Sequence, residues 1–81
     1  MVKMNYPQIV AMLSSGSYID FQGNTMWGRW GVHDGRGAYI IYSYRTPIGV
    51  YRPEEGWNLN LAKYSVTTSK HQGYLRRAVM A

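Results

Sequence analysis

Residues 63–77, KYSVTTSKHQGYLRR, decide how this chain is read. Tyr64, Ser65 and Val66 look like the end of a strand, followed by a hydroxyl-rich cap of Thr67, Thr68 and Ser69 and then a short basic helix. Ser69 and Gln72 have the spacing of a capping box. In that motif the serine oxygen accepts the N–H three residues on, and the glutamine side chain returns to the serine N–H. From His71 onward, Tyr74, Leu75, Ala78 and Val79 recur at the spacing of one helical face. Lys70, Arg76 and Arg77 fall mostly outside that face, towards water. The expectation is a capped, positively charged helix that follows a sheet.

Working outward, the 81 residues suffice for one domain, 1–81, with a modest core. A chain of this size buries only about 60–65% of its unfolded surface. The 46% hydrophobic content argues against disorder, and 15% aromatic residues suit sheet faces or stacking surfaces. Cysteine is absent, which favours a reducing compartment for so small a domain. No apolar run approaches the roughly 18 residues of a membrane span, and no basic segment followed by an apolar one opens the chain. A soluble, cytosolic protein with no membrane partner is expected.

Charge is the informative bias. Residues 1–40 carry Lys3, Arg29 and Arg36 against Asp20 and Asp34, whereas residues 41–81 carry Arg45, Arg52, Lys63, Lys70, Arg76 and Arg77 against Glu54 and Glu55. The halves therefore contribute +1 and +4 to the net +5, and no acid follows Glu55. Such a surface attracts polyanions at long range, although positive charge also serves solubility alone.

Taken in order, the chain opens with a helix capped by Asn5, with Pro7 in the first turn, an apolar stripe of Ile9, Val10, Met12 and Leu13, and Gly16 as terminator. Residues 17–22 alternate as a short strand, Tyr18 and Asp20 to one side, Ile19 and Phe21 to the other. Gly23-Asn24 marks a turn, and Met26–Val32 forms a strand with Trp27 and Arg29 on one face and Met26, Gly28 and Trp30 on the other. Asp34-Gly35-Arg36-Gly37 is a hairpin turn into Ala38–Tyr44, whose apolar run suits a central strand covered on both faces. Pro47 breaks the run, Ile48–Arg52 resumes it, and Pro53-Glu54-Glu55-Gly56 turns into Trp57–Leu61, with Trp57, Leu59 and Leu61 inside. The fold class is α+β: one small domain, an antiparallel β-meander of about four or five strands with an N-terminal and a C-terminal helix.

Three stretches carry a resemblance: GNTMWG at 23–28, YSYRTPIGVY at 42–51 and KYSVTTSKHQ at 63–72. Together they resemble a family of short, mostly uncharacterised phage and mobile-element proteins. Its members run G-N-S-M-x-G, then Y-S-Y-x-T-x-I-A, a Trp-containing turn, and Y-S-x-T-T-S-x-H-Q, often ending in arginines. The resemblance covers most of the chain after the first helix. Thr25 stands where serine is usual and Gly49 where alanine is usual. The resemblance implies a phage or prophage origin and action in the host cytoplasm, with no assigned chemistry.

Acid–base candidates are limited to His33, His71, Asp20, Asp34, Glu54 and Glu55. Glu54 and Glu55 fall in an exposed turn, and His33-Asp34 at a hairpin tip. No metal-ligand spacing, nucleophile elbow or cysteine nucleophile occurs, so neither metal nor cofactor is expected. His71 has two readings. It is a packed structural histidine bonded to a carbonyl or to Thr67 or Thr68. Alternatively, with Ser65, Thr67, Thr68 and Ser69, it contacts a phosphate beside the helix N-terminus. A small ribonuclease would need a histidine, arginines and a tyrosine, and these types are present without a spacing that unites them.

Binding without catalysis is the preferred expectation. Arg45, Arg52, Lys63, Lys70, Arg76 and Arg77 can meet nucleic-acid phosphates, DNA or RNA, while Tyr42, Tyr44, Tyr51 and Trp57 can stack bases or fill the core. The alternative partner is a host protein, bound and inhibited through a sheet edge or aromatic patch. A homo-oligomer built through such an edge is a third option.

Overall fold

A computed structural model describes residues 1–80. Its first helix, α1, spans Tyr6–Ser15 and starts as the sequence dictates. Asn5 Oδ1 accepts the Gln8 N–H at 2.9 Å while Gln8 Oε1 accepts the Asn5 N–H at 2.9 Å, a reciprocal capping box. Gly16, at φ 78°, ends the helix in the left-handed conformation that costs glycine little.

The strands are β1 (Val2–Lys3), β2 (Phe21–Gln22), β3 (Met26–His33), β4 (Arg36–Ser43), β5 (Thr46–Arg52) and β6 (Gly56–Leu59). They form one sheet in sequence order, antiparallel except that β1 runs parallel to β2. Asp34 and Gly35, at φ 52° and 77°, make the two-residue turn between β3 and β4, the geometry the Asp-Gly pair favours. A second two-residue turn, Tyr44-Arg45, joins β4 to β5. Pro47 does not interrupt the strand. The pairings Ile41↔Gly49 and Tyr42↔Pro47 leave Ile48 as an extra residue, a bulge beside the proline that cannot donate. The bulge turns both Ile48 and Gly49 towards the helices.

The second helix, α2, covers Val66–Met80, and with it the structure is an α+β domain of two helices on a six-stranded sheet. Both helices pack on one sheet face. Ile9, Met12, Leu13, Leu75 and Ala78 meet Phe21, Met26, Tyr39, Ile41 and Ile48 in the main core. A Cβ on Gly49 would lie 2.5 Å from Leu75 Cδ2 and 3.2 Å from the Trp57 ring, so the absent side chain lets α2 sit close. Gly28 likewise leaves room for Phe21, Ile41 and the Tyr39 hydroxyl, which makes it a packing glycine. The opposite sheet face holds a smaller cluster of Ala38, Ile40 and Val50, and Ile40 is fully buried without a helix above it. Side chains lying flat cover it. Trp27 stacks on Tyr42 at 4.0 Å, Arg29 lies 5.9 Å over the same ring, and Arg52 reaches across β4 to the His33 carbonyl at 2.6 Å. No helix among the described residues is long and apolar enough to cross a membrane.

Three local expectations are corrected. The strand expected over 17–22 shrinks to Phe21–Gln22 because side chains take its backbone groups. Trp30 Nε1 donates to the Tyr18 carbonyl at 3.0 Å, Tyr39 OH to the Ile19 carbonyl at 2.7 Å, and the Trp30 N–H goes to Asp20 Oδ1 at 2.8 Å. Tyr18 therefore turns inward among Tyr39, Tyr51 and Trp57, and Ile19 is left exposed. Leu61 is 75% exposed, because β6 stops at Leu59. Finally, Tyr64–Val66 is not a strand, and α2 begins three residues before Ser69. Ser65 Oγ caps it by accepting the Thr68 N–H at 3.3 Å. The Ser69–Gln72 box does not form, since Gln72 Nε2 donates instead to the carbonyls of Asn60 at 2.6 Å and Ala62 at 3.0 Å.

Replacing Tyr39 by Phe should lower the unfolding free energy by about 0.5–1.5 kcal/mol, because the buried ring loses its hydrogen bond to the Ile19 carbonyl. Urea denaturation of the two proteins measures this.

Candidate functional site

The three motif stretches meet at the imidazole of His71, which is 1% exposed. Its Nδ1 lies 2.6 Å from Ser43 Oγ, and its Nε2 lies 3.0 Å from Tyr6 OH and 3.1 Å from Thr25 Oγ1. Ser43 Oγ donates in turn to Thr68 Oγ1 at 3.0 Å, and Ser65 Oγ to the same oxygen at 3.3 Å. A hydroxyl has one proton to give. With Ser43 donating to Thr68, the consistent arrangement has Nδ1–H donating to Ser43 and Nε2 accepting from Tyr6 or Thr25. This polarity is the reverse of a nucleophile–base pair, in which the imidazole must accept the serine proton. Ser43 is also fully buried. The cluster binds α2 to the β4–β5 end of the sheet and to the start of α1; it does not present a reactive oxygen to a substrate.

Burial lowers the His71 pKa from its ordinary value, and the neighbouring charge of Lys70 lowers it further. The structural reading of His71 thus acquires its partners: Ser43, Tyr6 and Thr25 hold the ring, and Thr68 is reached through Ser43. Of the cap residues, Thr68 is buried in the cluster, Thr67 is half-buried and Ser69 is exposed. The hydroxyls of Tyr6, Thr25 and Ser43 have no sequence periodicity to announce them. Their only signal is that polar residues interrupt otherwise aromatic motifs.

The basic candidates are placed unequally. Lys63, Lys70, Arg76 and Arg77 are exposed on α2 or on the segment that leads into it, and Arg45 is exposed in the β4–β5 turn at the end where α2 begins. Arg52 departs from expectation: it is 7% exposed, on the face opposite the helices, with its guanidinium committed to the His33 carbonyl. On α2 the helical repeat of 3.6 residues puts Lys70 and Arg77 on one flank, where the Arg77 guanidinium lies 5.5 Å over the Tyr74 ring. Arg76 takes the other flank and, with Lys63, borders a groove of about 250 Å³ between α2 and residues 59–63. Among the described residues the ion pairs are His33–Asp34 at 3.5 Å and Arg36–Glu55 at 2.8 Å, so no carboxylate neutralises the cations of α2. The Arg36 pairing holds the Glu55 carboxyl below its usual range, and both glutamates lie in the β5–β6 turn, at the other end of the sheet from the start of α2.

The candidate stacking rings are mostly interior. Tyr51 and Trp57 pack with Tyr18, Trp27 and Arg29 cover Tyr42, and only Tyr44 is exposed, at φ 56° in its turn. No group of three or more His, Asp or Glu side chains among the described residues forms a metal site.

Two outcomes test the cluster. Ser43→Ala should cost about 1–3 kcal/mol by leaving the buried Nδ1–H without an acceptor, while Thr68 Oγ1 keeps its bond from Ser65, read from denaturant midpoints. Because the folded imidazole holds a proton less readily than the unfolded one, lowering the pH through about 6.5 protonates the unfolded chain first. Stability should therefore fall from about pH 7 towards pH 5, and fall less steeply in His71→Gln.

Comparison with known proteins adds a family and no activity. No curated protein and no solved structure matches the chain. The sequence profile of a family of unknown function, DUF8033, matches residues 8–77, from the first turn of α1 to the last turns of α2. That span includes the motif-borne partners of His71, and the chain belongs to this family of unknown function.

Proposed function

We propose that the protein is a small phage-type accessory module, acting in a bacterial host cytoplasm without catalysis, that binds nucleic-acid phosphates across the outward side of α2. The observation that carries this reading is the segregation of charge. Residues 61–80 contain Lys63, Lys70, Arg76 and Arg77 and no acid, while Asp34, Glu54 and Glu55 gather at the hairpin tips beside Arg36. Lys70 and Arg77 are separated by about 10 Å along the helix axis, roughly three nucleotide steps of one strand. Arg45 extends the basic surface at the helix start. Arg52 plays no part, since its guanidinium is buried on the other side.

A host-protein target is the second reading, favoured by the exposed apolar residues Leu61, Tyr64 and Val66 just before and at the start of α2. A ribonuclease is disfavoured by the enclosure of His71. Binding to single- and double-stranded DNA and RNA across a salt series decides between them. Phosphate engagement predicts that log K falls linearly with log salt, and that Arg76→Ala with Arg77→Ala reduces the slope by about 1.4–1.8. A slope unchanged by the double substitution would overturn the phosphate reading. Capture of a host protein that survives nuclease treatment would replace it with the second.

A further inference from the structure

We infer that the free edge of β6 pairs with the same edge of a second copy, antiparallel about a two-fold axis beside Leu59, so that two sheets join into one. β6 is the last strand of the sheet and has a neighbour, β5, on one side only. The Asn60 N–H donates inwards to the Ile48 carbonyl at 2.9 Å, so alternation along the strand turns the N–H and C=O groups of Trp57 and Leu59 outwards. These groups have no hydrogen-bond partner among the described residues. Sheet edges are usually blunted by charge, by proline or by a covering segment. Residues 57–62, WNLNLA, contain neither charge nor proline, and Leu61 and Ala62 are exposed. The edge on the far side of the sheet is guarded instead. There β2 pairs with β3 only at Trp27 and Gly28, and the Trp30 N–H beyond them is taken by Asp20 Oδ1 at 2.8 Å.

The charges that flank β6 select a second copy as the occupant. Glu54 and Glu55 precede the strand and Lys63 follows it, so the segment is acidic at one end and basic at the other. Antiparallel pairing of this segment with itself brings each end against its opposite. With Leu59 on the axis, Trp57 lies opposite the partner's Leu61, and Lys63 lies opposite the partner's Glu55 and beside the partner's Glu54. Outward residues then meet outward residues, as an antiparallel ladder requires. Arg36 already engages Glu55 at 2.8 Å, whereas Glu54 and Lys63 have no ion-pair partner among the described residues. Leu61, 75% exposed in the single chain, gains the apolar cover it lacks. The axis stands normal to the sheet, so both helix layers lie on one side and the dimer presents its two α2 surfaces together.

Sedimentation equilibrium on the full chain, from about 1 µM to 1 mM, should show a reversible monomer–dimer equilibrium. Lys63→Glu and Glu54→Lys should each weaken the dimer about ten-fold, because the axis repeats every change, and both substitutions in one chain should restore it. Leu61→Asp should dissociate it. All three positions are exposed, so the variants should melt at the wild-type temperature, which separates a lost interface from a damaged fold. Amide hydrogen exchange at Trp57 and Leu59 should slow as the protein is concentrated, a response that a dimer formed elsewhere would not give. A monomer at every concentration would overturn the inference and leave the edge to a strand of another protein. A dimer indifferent to Leu61→Asp, or one that the double substitution fails to restore, would overturn it equally. No nucleic acid enters these measurements, so their failure leaves the phosphate reading standing.

Discussion

The hydrogen bond between His71 and Ser43, 2.6 Å long and closed off from water, fixes where α2 lies on the sheet. The aliphatic contacts of Leu75 and Ala78 attract the helix to the sheet but carry little direction. The imidazole is different, because both of its nitrogens need partners in a region without water, and only one helix position supplies them. Ser43 comes from the end of β4, Thr25 from the turn before β3, and Tyr6 from the first turn of α1. One side chain therefore holds three parts of the chain that are far apart in sequence. Gly49 completes the fit by letting Leu75 approach the bulged part of β5.

The position of α2 decides what the surface offers. With Thr68, His71, Leu75 and Ala78 turned inwards, Lys70, Arg76 and Arg77 have nowhere to go but outwards. The sheet treats its arginines in the opposite way. Arg29 and Arg52 lie across the helix-free face, where their aliphatic stems help to roof Ile40 and Val50 and their guanidinium groups meet a tyrosine ring and a carbonyl. Arg36 is paired with Glu55. The same residue type thus serves packing on one side of the molecule and remains unpaired on the other, where Arg76, with Lys63, borders the groove beside α2.

Much of the fold could be read directly. The Asn5 cap, the Gly16 terminator, the Asp34-Gly35 hairpin and the doubly buried run of β4 are set by near neighbours, and neighbours are what a sequence displays. Where the reading missed, a distant side chain had taken over a backbone group. Tyr39 and Trp30 occupied the carbonyls of Ile19 and Tyr18, which removed most of a strand, and Gln72 left the cap expected of it to bind Asn60 and Ala62. The candidate site was legible only as a list of residue types. Lys63, Lys70, Arg76 and Arg77 stand out because nothing acidic lies near them in the chain, but Arg52 could not be separated from them without knowing which sheet face it occupies.

By itself, then, the sequence determined the order of elements, the turns between them and the excess of positive charge in the second half, since each depends on composition and on contacts a few residues long. Only the tertiary structure decided which cations remain in water, that the hydroxyls of Tyr6, Thr25 and Ser43 hold His71, and that Lys63 and Arg76 border one groove. Those facts depend on strand register and on the rotation of α2 about its own axis. Both are set by packing between segments up to 65 residues apart, as between Tyr6 and His71, and no local pattern encodes them.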